Sequence, residues 1–272
     1  MRSSSSKQRL DQRLVALGLA ENVDFAQRLI MAGQVLVDER VHDKPGVCVR
    51  PTATIRVRNQ AQFVSRGGHK LEAALTAFQI DADGLVALDV GASTGGFTDC
   101  LLQRAAKRVF AVDVGYGQLA WKLRGDPRVV CLERTNIRHL HELPGGEVAD
   151  LAVIDASFIG LDQLLPATLR LLTSTAQIVA LIKPQFEADR PSVGEGGVVR
   201  DEAVHRRVLA EVWQLAEGLG MAVSGLMVSP LLGPAGNVEF LIWLKRDGAS
   251  SLEQGQSVKE AIKGARQLRA GV

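Results

Sequence analysis

Leu85-Val86-Ala87-Leu88-Asp89-Val90-Gly91-Ala92-Ser93-Thr94-Gly95-Gly96 decides how the rest of this chain is read. An apolar run ends in an acid and a glycine-rich turn, and Phe97-Thr98-Asp99-Cys100-Leu101-Leu102 continues as the start of a helix. A strand, turn and helix in that order bring main-chain N–H groups and a helix N-terminus up to a bound small molecule. A second apolar run, residues 108–113, ends in Asp113, 24 positions after Asp89. An acid there is placed to accept hydrogen bonds from ribose hydroxyls. The pair predicts a nucleoside-cofactor site.

The glycine order narrows the cofactor. A dinucleotide site requires Gly-x-Gly-x-x-Gly, whereas this loop reads Asp89-x-Gly91-x-x-x-Gly95-Gly96. That arrangement resembles the first motif of S-adenosylmethionine-dependent methyltransferases, in which the loop passes under the cofactor's amino-acid end and the acid helps to orient its ammonium group.

Further along, α/β alternation continues. Strands are expected at residues 128–132, 149–154, 176–182, 222–228 and 238–244, and helices at 161–172 and 202–219. Ligands of open parallel sheets collect beyond the C-terminal strand ends. Asp89, Asp113, Asn136, Asp155 and Lys183 all fall at or just past such ends. The short turn at residues 233–236 makes the last two strands antiparallel. Lys183, followed by Pro184 after a buried strand, is a poor candidate for a solvated surface charge. Desolvation among other cations would lower its pKa and free a lone pair for base chemistry, with Asp155 holding its orientation; a lysine that merely pairs with Asp155 is the alternative.

The chain has 272 residues, 46% of them hydrophobic and 23% charged, as in an ordinary soluble protein with a sizeable core. No apolar stretch approaches the roughly 20 residues that span a bilayer. Cys48, Cys100 and Cys131 are too scattered for a zinc or disulfide framework. No metal is expected, and residues 1–7 lack the apolar core of a secretory signal. These features imply a cytoplasmic protein. Residues 1–70 hold 12 Lys and Arg against 6 Asp and Glu, so a polyanion is the expected partner of that segment.

Within it, Leu10, Leu14 and Leu17 share a helical face. Asp24 is the expected cap of a second helix carrying Phe25, Ala26, Leu29 and Ile30, and short strands follow around residues 35–37 and 54–58. This order resembles the S4-type RNA-binding module found in a small-subunit ribosomal protein, pseudouridine synthases and tyrosyl-tRNA synthetases. The matching residues are Arg9-Leu10-Asp11, Ala26-Gln27-Arg28-Leu29-Ile30, Gly33-Gln34-Val35 and Val37, with Asn22-Val23 standing where a Ser-Arg pair often opens the second helix. The resemblance implies that Arg9, Arg13 and Arg28 meet RNA phosphates.

Six further stretches carry a closer likeness. They are Ser65-Arg66-Gly67-Gly68-His69-Lys70-Leu71, the 89–99 loop, Asp155-Ala156-Ser157-Phe158, Lys183-Pro184-Gln185-Phe186-Glu187, Gly196-Gly197-Val198-Val199-Arg200-Asp201 and Asn237-Val238-Glu239-Phe240. Together they resemble the TlyA family, named as hemolysins but acting as ribosomal RNA 2′-O-methyltransferases related to the FtsJ/RrmJ enzymes.

The likeness implies a Rossmann-like α/β methyltransferase domain, a seven-stranded sheet with an antiparallel last strand, preceded by a small α+β S4-like domain. The expected boundaries are 1–60 for the RNA-binding domain, 61–66 for a linker, 67–246 for the methyltransferase domain and 247–272 for a C-terminal tail. It implies a catalytic set of Lys70, Asp155, Lys183 and Glu239. S-adenosylmethionine would be held by Asp89, Gly91, Ser93, Thr94, Gly95, Gly96, Phe97, Asp113 and Asn136, and Arg66 would join the RNA-binding residues. Phe97, Phe158 and Phe186 wall the cofactor, stack on a flipped base or pack in the core. The 187–200 loop folds over RNA or merely connects. Cytidine in ribosomal RNA of either subunit is the implied target. A non-enzymatic ribosome-binding factor would have no use for converging charged residues, and a membrane-active hemolysin would need a spanning or strongly amphipathic apolar helix.

Overall fold

The computed structural model describes residues 7–58, 61–246, 248, 250 and 252–270. Contacts divide the chain into two compact units, Met1–Gln62 and Phe63–Val272. Residues 1–6, 59 and 60 of the expected first domain, and 247, 249, 251, 271 and 272 of the expected tail, lie outside the described residues.

The first unit contains β1 (Gln8–Arg9), α1 (Leu10–Ala16), α2 (Val23–Met31), β2 (Val35–Val37), β3 (Arg40–His42), β4 (Cys48–Val49) and β5 (Ile55–Val57). β2 lies between β3 and β5, antiparallel to both, and β1 pairs with β4. Asp38 and Glu39 join β2 to β3 with positive φ at both positions (49° and 64°), the two-residue turn whose twist suits a hairpin. Leu10, Leu14, Ala26, Ile30, Val35, Val37 and Val57 form the core. Leu17 instead follows the end of α1 and is exposed. The α2 cap is Asn22, not Asp24. Asn22 is extended and its side chain accepts from Phe25 N at 2.8 Å, a position Asp24, already inside the helix, cannot serve.

The second unit runs α3 (Gly67–Ala77), β6 (Val86–Val90), α4 (Gly96–Gln103), β7 (Arg108–Val112), α5 (Trp121–Arg124), β8 (Val129–Leu132), β9 (Ala149–Ile154), α6 (Leu161–Leu169), β10 (Leu172–Ile182), α7 (Pro184–Glu187), α8 (Glu202–Gly218), β11 (Ala222–Val228), β12 (Phe240–Lys245) and α9 (Gln254–Ala270). The seven-stranded sheet has the order β11-β12-β10-β9-β6-β7-β8. β8, β7, β6, β9 and β10 are parallel, and β12 is antiparallel to both its neighbours. The parallel strands read as continuous apolar runs because helices cover both faces. Leu88, Phe110, Trp213 and Phe240 pack on one face, and Leu71, Leu75, Phe97 and Leu101 on the other.

Two boundaries differ from the expected ones. Residues 254–270 are a helix of this unit rather than a tail. Val258, Ala261, Ile262 and Ala265, spaced to share one helical face, are buried in the core that also holds α8. Phe63, placed in the linker, is 2% exposed and belongs to the core on the α3 side. Gly68 makes room for it, since a Cβ there would stand 2.2 Å from Phe63 Cγ.

Antiparallel pairing of β10 with β12 sets Ile182 opposite Phe240. The residue after β10, Lys183, and the residue before β12, Glu239, therefore emerge at one end of the sheet.

Candidate active site

Above the C-terminal strand ends lies a cleft of about 650 Å³ whose wall includes Lys70, Asp155, Lys183 and Glu239. Lys70, from α3, is 8% exposed and its Nζ donates to Glu239 Oε2 at 2.5 Å. Glu239 is 1% exposed, and Gly233 faces it closely: a Cβ at that glycine would lie 2.6 Å from Glu239 Oε1. Lys183 Nζ pairs with Asp155 Oδ1 at 2.6 Å and donates to Ser157 Oγ at 3.0 Å. Ser157 carries no signal of its own in the sequence beyond its place in the Asp155–Phe158 motif. The four charged residues predicted to converge thus meet in one cavity as two ion pairs.

A second cavity of about 480 Å³ shares Gly91, Ser93, Asp155, Ser157 and Phe158 with the first. Asp113 and Asn136 line it. Asp113 Oδ2 accepts from Ser93 N at 2.8 Å and Oδ1 from Gly115 N at 2.7 Å. Asn136 Oδ1 accepts from Arg138 N at 3.1 Å. Sequence reasoning missed Gln118 and Glu133. Glu133 accepts from Gln118 N at 3.1 Å and pairs with Arg124, so it fixes the loop beside Asp113. Gln118 in turn takes the Ser93 hydroxyl at 3.3 Å.

The glycine loop divides into two parts. Gly91, Ser93, Thr94, Gly96 and Phe97 line the larger cavity. At Gly91 φ is +84° and a Cβ would come within 2.8 Å of the Asp155 carbonyl oxygen, so glycine alone lets the two strand ends touch. Asp89 and Gly95 line neither cavity. Asp89 is completely buried, with Oδ2 accepting from Thr98 Oγ1 at 2.6 Å and Oδ1 left without a partner among the described residues. Burial, reinforced by the charges of Asp155 and Asp113 and opposed by the Thr98 hydroxyl, pushes its carboxyl up to about 7. Gly95 faces Leu119 and Leu123 of the core. Both residues pack behind the loop, outside the walls of the two cavities.

Of the aromatics, Phe97 is 3% exposed and mostly core, whereas Phe158 is 89% exposed. Phe158 has φ +64°, a strained conformation for a bulky residue, and its ring lies 5.0 Å from that of Phe186. Of the 187–200 loop, Gly196 and Gly197 reach the cleft wall, held by Asn237, which donates to Gly197 O and accepts from Val199 N, each at 2.9 Å.

The expected RNA-contacting arginines divide as well. Arg66 is exposed at the cleft. Within the first unit Arg28 is exposed over the Phe25 ring. Arg9 pairs with the buried Asp11, whose carboxyl the Arg9 hydrogen bonds hold at about 2. Arg13 is half-buried and donates to Pro51 O at 3.0 Å, a tie within the fold. Among the described residues, no cluster of three or more His, Cys, Asp or Glu is placed to hold a metal, and no helix is long and apolar enough to cross a membrane.

A parallel sheet with an antiparallel β12 inserted, a glycine loop after β6 and paired charges at the strand ends define an open α/β methyltransferase. Residues 63–246 match the FtsJ-like methyltransferase family and residues 8–55 the S4 domain. The chain is 50% identical over 240 residues to the 16S/23S rRNA (cytidine-2′-O)-methyltransferase TlyA of Mycobacterium tuberculosis, covering 87% of this chain and 89% of that one. It is 38% identical to a protein named Hemolysin A from Brachyspira hyodysenteriae, covering 86% and 98%. A solved structure of a hemolysin-named protein from Streptococcus thermophilus aligns over 98% of both chains with TM-score 0.75 and 39% identity. This chain belongs to the TlyA family of FtsJ-like methyltransferases.

Proposed function

We propose that the chain transfers the methyl group of S-adenosylmethionine to a ribose 2′-OH of ribosomal RNA, with cytidine as the target nucleoside, as in the name of the mycobacterial relative. One observation carries the reading: two lysine–carboxylate pairs, Lys70–Glu239 and Lys183–Asp155, line a single cleft next to the Asp113 cavity.

The residues fit the cofactor. A carboxylate offers about four acceptor positions, and main-chain amides take one on each Asp113 oxygen, which leaves acceptors for a vicinal diol. Asp113 would hold the ribose hydroxyls, Asn136 would lie by the adenine, and Gly91, Ser93, Thr94, Gly96 and Phe97 would form the methionine end. S-adenosylmethionine supplies a methyl group already activated on a sulfonium centre.

The chain's own task is to place and deprotonate a weak nucleophile. A lysine acts as a base only as the neutral amine, which has two N–H bonds and one lone pair. Once the ammonium has given one proton to solvent, its two remaining N–H bonds stay directed at Asp155 and Ser157, and the Lys183 lone pair is left for the hydroxyl proton. Lys70, held by Glu239, sets a positive charge beside the ribose or its phosphate. Phe158 and Phe186 offer ring surface to an extruded base. Arg66 and Arg28, both exposed, would meet phosphates.

Lys183→Ala tests the assignment on ribosomal subunits from a strain lacking this gene, with radiolabelled S-adenosylmethionine. Cofactor affinity is expected to stay within about twofold, while transfer falls by about 10²–10⁴-fold. Wild-type protein should leave a phosphodiester resistant to alkali next to the labelled nucleotide, because a methylated 2′-oxygen cannot attack it. Transfer that survives the substitution removes Lys183 from the reaction.

A further inference from the structure

The Lys183–Glu187 motif ends on a carboxylate that the proposed chemistry leaves unused. α6 opens after Gly160, which has no side chain to cap it. Leu161 N donates instead to Glu187, at 3.1 Å to Oε1 and 3.3 Å to Oε2. The cap comes from a segment 26 positions further along the chain.

Those two segments are the ones that carry the proposed base. Residues 155–160 hold Asp155 and Ser157, and residues 183–187 hold Lys183. They are tied at one end by the Lys183 contacts to Asp155 and Ser157, in the middle by the Phe158–Phe186 ring contact, and at the other end by Glu187 on Leu161. Glu187 lies in a pocket between α6 and α8 lined by Asp162, Val208, Glu211 and Leu215. Burial there, with the Asp162 and Glu211 charges adding to it and the Leu161 amide opposing it, pushes the carboxyl up to about 7. Arg207 of α8 pairs with Asp189 and Glu211. Among the described residues no cation pairs with Glu187. An acid kept in so unfavourable a place needs a reason, and the Leu161 amide is the partner it has.

We propose that Glu187 is a positioning residue for methyl transfer: by capping α6 from outside, it locks the segment bearing Asp155 and Ser157 against the segment bearing Lys183. This rests on the reading of Lys183 as the proton acceptor. Helix capping alone would predict a loss of stability; the lock predicts a loss of turnover that a local cap does not repair.

Three variants separate the two. Glu187→Ala removes the acceptor, and Glu187→Gln keeps one carbonyl oxygen for Leu161 N. Glu187→Ala with Gly160→Asp caps α6 locally, on the amides of Asp162 or Gln163 rather than on Leu161 N, without the bridge. Gly160 has φ −82° and ψ 159°, which suits aspartate, and the nearest atom to a Cβ there is Asp162 Oδ1 at 2.5 Å, the end of a side chain free to rotate. Glu187→Ala is expected to lower kcat by about 10- to 100-fold, with cofactor Kd and RNA KM within about threefold of wild type. Glu187→Gln should keep at least about a third of kcat, since the cap acceptor is retained. The double variant should regain the thermal midpoint but not kcat. Unchanged kcat in Glu187→Ala, a Gln variant as impaired as Ala, or a double variant restored in both respects overturns the proposal. If Glu187→Ala fails to fold, the kcat of the double variant decides. Lys183→Ala in the same assay keeps the two readings apart. If it retains transfer, the assignment of the base fails; if it is dead beside a fully active Glu187→Ala, only the positioning role fails.

Discussion

Lys70 and Glu239 stand 169 positions apart in the chain, yet Nζ and Oε2 lie 2.5 Å apart with side chains 10% and 1% exposed. Breaking a buried pair from one side strands the other charge, so Glu239→Leu is expected to cost about 3–5 kcal/mol. Adding Lys70→Met removes both charges and should return most of that stability. Methyl transfer should stay lost in the single and the double variant. Denaturant unfolding and transfer assays on the same preparations check this, and a double variant that regains transfer excludes the pair from the chemistry.

Asp113 joins the ends of two loops through Ser93 N and Gly115 N. Hydrogen bonds to a charged group contribute about 1.5–3 kcal/mol each, so losing the two to the ribose diol in Asp113→Ala should weaken S-adenosylmethionine binding by about 10²- to 10⁴-fold. Affinity for RNA is expected to be unchanged. Calorimetric titration with the cofactor reads the first, and an unaltered cofactor Kd would take Asp113 out of the binding site.

The buried Asp89 gives stability a pH dependence of definite sign. Its carboxyl is pushed up to about 7 in the fold against a reference value of 3.8. Between those values the unfolded chain ionises this group while the folded chain keeps it protonated. Its contribution is therefore full below about pH 4, shrinks as pH rises, and is gone above about pH 7. The stability of wild type relative to Asp89→Asn should fall across that window and level off beyond it. A difference that is flat or rises with pH contradicts the burial argument.

Arg13 and Arg28 should behave as opposites. Arg13→Ala removes the tie to Pro51 O and is expected to destabilise the first unit by about 1 kcal/mol. Arg28→Ala should leave stability alone and weaken RNA binding, with the slope of log K against log salt reduced by about 0.9 if Arg28 neutralises one phosphate of a duplex. Thermal unfolding and filter binding at several salt concentrations distinguish them.

The strand ends were legible because chemistry and hydrophobicity change at the same residue there: Lys183 and Asp155 interrupt apolar runs that cannot hold an unpaired charge. The fate of Asp89 and Gly95 was not. A tight loop presents neighbouring residues to ligand and to core in turn, and the residue types alone do not say which side each takes. Asn22 showed a different limit, since either it or Asp24 has the right side chain and only the backbone angle of Asn22 selects it. α9 was readable in principle from Val258, Ala261, Ile262 and Ala265. Two alanines make a faint apolar stripe, which the charged residues around it obscure. β10 begins at Leu172 rather than 176 because Thr173, Ser174 and Thr175 extend it in polar residues beyond a register shift.

Every parallel strand here delivers its functional group as the chain leaves the sheet, but Glu239 is delivered as the chain enters it. Only a reversed strand can do that, so the pairing of Ile182 with Phe240 also sets where this carboxylate stands. Sliding β12 by one residue would turn alternate side chains to the opposite face and swing Glu239 away from its lysine. Transplanting the proposed chemistry to another α/β scaffold would therefore require the whole terminal hairpin, not just four side chains.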